Sequence, residues 1–413
     1  MATTLEQYGN IAGSDVVRQL ELLARPMRGL RVVHVNSTRQ GGGVAEILAT
    51  LVPLMEELGL RTSWEVVEGS PGFFQVTKLF HNGIQGQQVV LPEALLAEYR
   101  RVTLENAERL RSTLEEADIV FIHDPQPAGL LAALPARRGK WIWRCHIDAG
   151  HPHRPVWRFL RPLVQGYDAC IFSLPDFAQE LPQPCYLIPP SIDPLAVKNV
   201  DLGEDEIDAV CAEHRLDRGR PLLVQVSRFD RFKDPVGLIA AFRLARPFIP
   251  GLQLVLAGGG AADDPEGAAV QEEVMAAAAG DPDIRVLSLP PDAHRVINAL
   301  QRAADVVLQK STREGFGLTV AEALWKSKAV IGGNTGGIRL QVVNHQTGFL
   351  VNSPEGAALR IRYLLRHRDR LQAMGQRGRE HVHQNFLITR QLREYLTVML
   401  GLVRAATDRL ELD

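Results

Sequence analysis

Short, continuous apolar runs recur along this chain, separated by longer stretches with helical spacing, and no other feature limits its possible folds so strongly. In the first half the runs fall at 30–36, 62–68, 117–123, 140–146 and 168–173. In the second they fall at 221–227, 252–258, 284–289, 304–310, 329–333 and 348–352. They are apolar at successive rather than alternate positions, which predicts strands buried on both faces, as in parallel sheets. Helical patterns lie between them at 44–58, 92–116, 235–245 and 355–364. Strand–helix alternation repeated this often predicts doubly wound α/β domains.

With 413 residues the chain is long enough for two or three cores. A boundary is expected between about 188 and 220, where the proline-rich IPPSIDPL is followed by the acidic helical segment GEDEIDAVCAEHRL and then by a fresh strand. The expected division is 1–190 and 191–385. A long amphipathic tail helix at about 386–413 is placed back on the first domain.

Charge excludes several function classes. The formal net charge is -2, which gives no global attraction to nucleic acid or to an acidic membrane. No apolar run approaches bilayer length, and the first ten residues, MATTLEQYGN, carry no basic or apolar signal region. The four cysteines are widely spaced without a CxxC. They are expected to be reduced and structural, in a cytoplasmic protein.

In open α/β sheets ligands bind beyond the carboxyl ends of the strands, so a motif gains weight when it directly follows a strand. Four segments qualify. The first is NSTRQGGGVAE, with Gly42 and Gly43, where glycine lets backbone approach a ligand and a helix start offers N–H donors. It lacks the GxGxxG dinucleotide pattern. A similar turn, LAGGGAA at 256–262, is taken as plain. The second is SRFDRFKDP, whose Arg228 and Lys233 could neutralise a diphosphate. An Arg–Lys pair more commonly decorates a solvated loop; its place at a strand end raises this one above that.

The third is STREGFGLTVAEAL. Here Gly315, Phe316, Gly317 and Leu318 would turn backbone N–H groups toward phosphate. Glu314 and Glu322 would accept hydrogen bonds from sugar hydroxyls, since an ionised carboxylate only accepts. Taken alone, the two glutamates also fit a helix with a favourable acidic start. The fourth is a set of strand ends, FIHDPQPAG and WRCHIDAGHPH, which put His123, Asp124, His146 and Asp148 at adjacent strand ends; FHNGIQG at 80–86 is taken as a further polar turn. A lone histidine is usually structural, and clustering argues for at least one functional role. Zinc is disfavoured because no clear third ligand accompanies the HD and HxD pairs. A hydrolase triad is disfavoured because GxSxG is missing.

Taken together, SRFDRFKDP and EGFGLTVAE resemble the donor site of retaining glycosyltransferases of GT-B architecture, the family of sucrose and glycogen synthases. HVNSTRQGGGVAEIL, EGSPGFFQVTKLFHNGIQG, HDPQPAG and WRCHIDAG resemble the trehalose glycosyltransferring synthases within it. The likeness covers nearly the whole chain. It implies two Rossmann-like domains facing across a cleft, an ADP- or UDP-glucose donor, free glucose as acceptor, and α,α-trehalose formed with retention in a reversible reaction. It further implies that Arg228 and Lys233 stabilise the departing diphosphate, that Gly42 and Gly43 approach the donor, and that His146 and Glu314 contact the donor sugar. Glu322 would hold the ribose, and Asp124, Gln126 and Asp148 would hold the acceptor. No metal or other cofactor is expected, and no macromolecular partner beyond a homodimer, although the sequence does not fix the oligomeric state. A trehalose phosphorylase, a sugar-nucleotide 2-epimerase and a non-catalytic nucleotide-sugar binder remain as alternatives.

Overall fold

In the computed structural model, residues 4–40, 42–259 and 265–405 are described. Gly41, part of the turn at 256–262 and the end of the tail helix lie outside them. The chain divides into two compact units, one running to Pro190 and resuming at Ile388, the other Ser191–Leu387.

The first unit is built on six parallel strands: β1 (Arg31–Asn36), β2 (Arg61–Val66), β3 (Ile119–His123), β4 (Lys140–Arg144), β5 (Ala169–Phe172) and β6 (Cys185–Leu187), in the order β2-β1-β3-β4-β5-β6. The second has β7 (Leu222–Val226), β8 (Gln253–Gly258), β9 (Ile284–Ser288), β10 (Val306–Gln309), β11 (Ala329–Gly333) and β12 (Gly348–Val351), in the order β12-β11-β10-β7-β8-β9, again parallel throughout. All residues of β3, β5, β7, β8, β10 and β11 are buried. This is why their sequences are apolar without alternation. Each buried Val, Leu or Ile side chain contributes about 1.5–3 kcal/mol.

The two orders reverse direction at one place each. In the first sheet the chain leaves β1 for β2 on one side and later returns to β3 on the other. In the second it leaves β7 for β8 and returns to β10. A crevice opens beyond the carboxyl ends of the two strands that flank such a switch point. The loops after β1 and β3, and those after β7 and β10, carry sequence motifs, and the loop after the neighbouring β4 carries one more.

Two elements differ from expectation. Residues 80–84 are not a turn but the end of the helix Pro71–Ile84. The edge strand β6 was not foreseen. The expected tail helix is present as Ile388–Val403 among the described residues, separated at Phe386 from the preceding helix Arg368–Asn385. At that break Ile192 N–H donates to the Phe386 carbonyl at 2.8 Å, and the Arg390 guanidinium donates to the carbonyls of Pro189 and Pro190 at 2.8 and 2.9 Å.

Candidate active site

In the second unit, the loop after β7 carries Arg228, exposed, then Asp230, whose carboxylate accepts from Phe232 N–H at 2.7 Å and caps the short turn Arg231–Lys233. Asp234 follows in a left-handed conformation (φ 49°) and caps the helix Pro235–Ala245. The loop after β10 comes against it: Thr312 N–H donates to the Phe232 carbonyl at 2.7 Å, and Lys310 is ion-paired to Asp234. Across the two loops Lys233 Nζ donates to both oxygens of Glu314 at 2.7 Å. Ser311 Oγ also donates to Glu314, at 3.1 Å. The Lys233 side chain is 17% exposed and that of Glu314 9%, so this pair is largely removed from water, where its geometry counts for far more than at a surface.

Beyond Glu314 the chain turns through Gly317, at φ 81°, into the helix Leu318–Trp325. The backbone N–H groups of Gly315 to Leu318 donate to no backbone acceptor among the described residues. Phe316 anchors the turn, with its ring buried and 5.5 Å from that of Phe386. One turn of helix further, Glu322 is 2% exposed, and its Oε2 is buried without a hydrogen-bond partner among the described residues. Lys326 does not relieve it: its Nζ donates to Asn199, Gln301 and the Glu322 carbonyl, and burial pulls its pKa down to about 7. An orphaned carboxylate oxygen at such a place suits a ligand hydroxyl.

The predicted residues of the first unit gather at the ends of β1, β3 and β4. Gly42, at φ 84°, opens the helix Gly43–Glu57. Asp124 follows β3 in the left-handed region (φ 64°). Its Oδ1 accepts from His146 N–H at 2.7 Å, and its carbonyl accepts from Trp143 Nε1 at 3.1 Å. The loop carrying Gln126 is pinned by the Tyr99 hydroxyl, which donates to the Pro125 carbonyl and accepts from Gly129 N–H, both at 3.1 Å. Asp148 Oδ1 accepts from Gly150 N–H at 2.9 Å. His146 is bonded through its ring to His123, and His123 to His34. Burial holds all three well below the usual imidazole pKa, so they are neutral near pH 7.

Sequence reasoning assigned no role to Gln309, Lys310, Ser311 and Asp234, which position Glu314 and the Lys233 loop, nor to His34. The only signal for His34 is a histidine inside an otherwise apolar strand. Among the described residues no group of three His, Cys, Asp or Glu side chains is placed to hold a metal ion.

Burial raises the Asp124 pKa to about 6, with His146 N–H and Arg144 opposing part of the rise. Below the ordinary value of 3.8 the carboxyl is protonated both folded and unfolded; above about 6 it is charged in both, and the fold then carries the desolvation cost. Its stabilising contribution is therefore complete in acid and lost as pH rises through about 6. Asp124→Asn keeps an acceptor for His146 and tolerates the left-handed backbone. It is expected to stabilise the protein at pH 7.5 by an amount on the order of 2 kcal/mol, a gain that shrinks toward zero by pH 4. Paired thermal melts across that range would expose an error as a pH-independent difference.

The description "Trehalose synthase, N-terminal domain" matches residues 34–179, and "Glycosyl transferases group 1" matches residues 207–381. Trehalose synthase of Pyrococcus horikoshii is 44% identical over 402 residues, 96% of either chain. The chain belongs to the trehalose synthase family of GT-B glycosyltransferases. Trehalose phosphorylase of Pleurotus pulmonarius is 30% identical over 86% of this chain, which spans 55% of that protein. Among solved structures, sucrose-phosphate synthase from Thermosynechococcus elongatus superposes with a TM-score of 0.72 at 17% identity, covering 91% of this chain and all of the other; that likeness is one of fold. The two matched segments include the strand-end loops: 34–179 contains Asp124, Gln126, His146 and Asp148, and 207–381 contains Arg228, Lys233, Glu314 and Glu322.

Proposed function

We propose that this glycosyltransferase moves glucose from a nucleoside-diphosphate glucose, ADP- or UDP-linked, to free glucose, forming α,α-trehalose with retention at the donor carbon, in a reversible reaction. The observation that carries the reading is the meeting of Lys233, Glu314 and the N–H groups of Gly315–Leu318 at the β7/β10 switch point, in a chain that matches a trehalose synthase over its length.

The chemistry follows from charge. Breaking the sugar–phosphate bond leaves negative charge on the diphosphate and positive character on the sugar carbon. Arg228, Lys233 and the backbone N–H groups meet the first, preorganised in a partly dry site where such contacts give most rate. Glu314 and a neutral His146 bind the sugar without adding positive charge beside the reacting carbon. Gly42 and Gly43 admit the donor closely. Asp124, Gln126 and Asp148 hold the acceptor glucose, and Glu322 accepts from the ribose. No metal cofactor takes part in this scheme. The phosphorylase alternative is less well supported, since the chain spans little more than half of such a relative.

Purified protein given ADP-glucose or UDP-glucose with glucose should yield trehalose, and should do so in the presence of EDTA. Failure with both donors, or trehalose cleavage that requires inorganic phosphate, would overturn the assignment. Glu322→Gln should weaken nucleoside diphosphate binding about tenfold by calorimetry, the loss of one charge-assisted hydrogen bond. Its melting temperature should not fall, because the substitution removes the charge from a carboxylate with one buried, unpartnered oxygen. Unchanged nucleotide affinity would remove Glu322 from the site.

A further inference from the structure

Behind His146 lies a column of rings that runs into the core of the first unit. Tyr395, from the helix Ile388–Val403, stacks on Phe121 of β3 at 5.1 Å and Phe121 on His34 of β1 at 4.7 Å; His34, His123 and His146 then follow side by side, with ring centroids 5.4 and 5.3 Å apart. Successive planes lie within 29° of parallel. Within the column the imidazoles are also joined edge to edge: His34 Nδ1 to His123 Nε2 at 3.1 Å, and His123 Nδ1 to His146 Nε2 at 3.0 Å. His34 and His123 are buried, and His146 is half-buried.

A chain of three neutral imidazoles has only two proton arrangements, because each ring carries one N–H and one bare nitrogen. If protons point inward, His146 Nε2 donates to His123, His123 donates to His34, and His34 is left with an N–H at Nε2. If they point outward, His34 ends in a bare lone pair and His146 carries its proton on Nδ1. His34 Nε2 is buried with no partner among the described residues. Native structures tolerate an orphaned buried N–H less readily than an under-used acceptor, so the outward arrangement wins.

We propose that His34 and His123 are positioning residues that hold His146 as its Nδ1–H tautomer, aiming a neutral hydrogen-bond donor at the transferred sugar. The sugar in this statement rests on the glucosyltransferase reading; the tautomer does not. The arrangement fixes polarity as well as position. A sugar oxygen must accept from His146, leaving the hydroxyl proton for a carboxylate. Arg144 is in register with His123 on the neighbouring strand, and its charge further discourages protonation of His123 and His146.

The test is nitrogen NMR of the full-length protein with labelled histidine, alongside transfer kinetics for His34→Phe and His34→Asn. Phenylalanine preserves the stack and removes the donor to His123. Asparagine replaces it with an N–H at the same δ position. In the unaltered protein His146 should be protonated at Nδ1 and bare at Nε2. His34→Phe should fold, show mixed tautomers at His146 and lose about tenfold in kcat, and His34→Asn should recover most of both. A proton on His146 Nε2 in the unaltered protein, or equal kcat and equal tautomer spectra for the two variants, would overturn the relay. If the unaltered protein transfers no glucose, the functional reading fails while the tautomer pattern still decides this one.

Discussion

Lys233→Ala is expected to lower kcat/KM for glucosyl transfer by roughly a thousandfold, the upper end of what one preorganised charge-stabilising donor supplies. The same variant should remain folded. Lys233 sits in a short turn capped by Asp230 and followed by a helix capped by Asp234, and none of these backbone contacts uses its side chain. The complication is Glu314, whose two oxygens both accept from Lys233. Removing the lysine strands a carboxylate that is 9% exposed, leaving it Ser311 Oγ at 3.1 Å and a long contact from Gln309 Nε2 at 3.5 Å. Some loss could therefore come from a displaced glutamate and not from a missing cation. The double variant Lys233→Ala/Glu314→Gln separates the two. If the lysine acts on the leaving diphosphate, neutralising Glu314 restores none of the activity. If the lysine only parks the glutamate, the double variant recovers toward the activity of Glu314→Gln alone. A Lys233→Ala enzyme within tenfold of wild type would remove the leaving-group role altogether.

Strands were the most legible part of the fold, because burial on both faces writes itself as an unbroken apolar run. The edge strand β6 escaped for the converse reason. Cys185 and Leu187 are exposed, and the strand lies in the proline-bracketed stretch QPCYLIPP. The Asn-Gly pair at 82–83 suggested a turn and was outvoted by tertiary structure. Ser70 accepts from Phe73 N–H to start the helix, Pro71 sits in its first turn, and Phe73, Val76, Phe80 and Ile84 supply one continuous buried face. Gly83 has its own reason to be small, since a Cβ there would come within 2.4 Å of a Val156 methyl.

At the candidate site, the strand-end rule picked loops that do follow strands, but the partnerships inside them were not legible. Lys233 and Glu314 are 81 residues apart, and their pairing depends on β10 lying next to β7, across the switch point. His34 and His123 meet for a similar reason: β3 lies beside β1, although β2 and three helices intervene in the chain. Residue type and spacing can nominate a group for chemistry, but only strand order shows which other group holds it in place.

Gly333→Ala tests how the donor loop is held, and it should be among the most damaging single-methyl changes in the second unit. Gly333 ends β11 beside the end of β10, and a Cβ there would lie 1.9 Å from the Ser311 carbonyl oxygen. The obstacle is backbone, which cannot swing aside as a side-chain tip does. Relief requires the end of β10 to move, and Ser311 is also the residue whose hydroxyl holds Glu314. Overpacking of this kind costs about 3 kcal/mol or more, and in a unit of this size should lower the melting temperature by roughly 10 °C. Because the displaced segment leads directly into Glu314 and the Gly315–Leu318 N–H groups, nucleotide binding should weaken together with stability. The comparison that matters is Gly375→Ala, whose Cβ would also meet a backbone carbonyl at 1.9 Å, that of Ser327, beyond the carboxyl end of the helix Leu318–Trp325. Both variants should melt early, but at a temperature where each is folded only Gly333→Ala should bind nucleoside diphosphate poorly. Equal nucleotide affinities in the two would mean that the β10 loop does not set the geometry of the donor site.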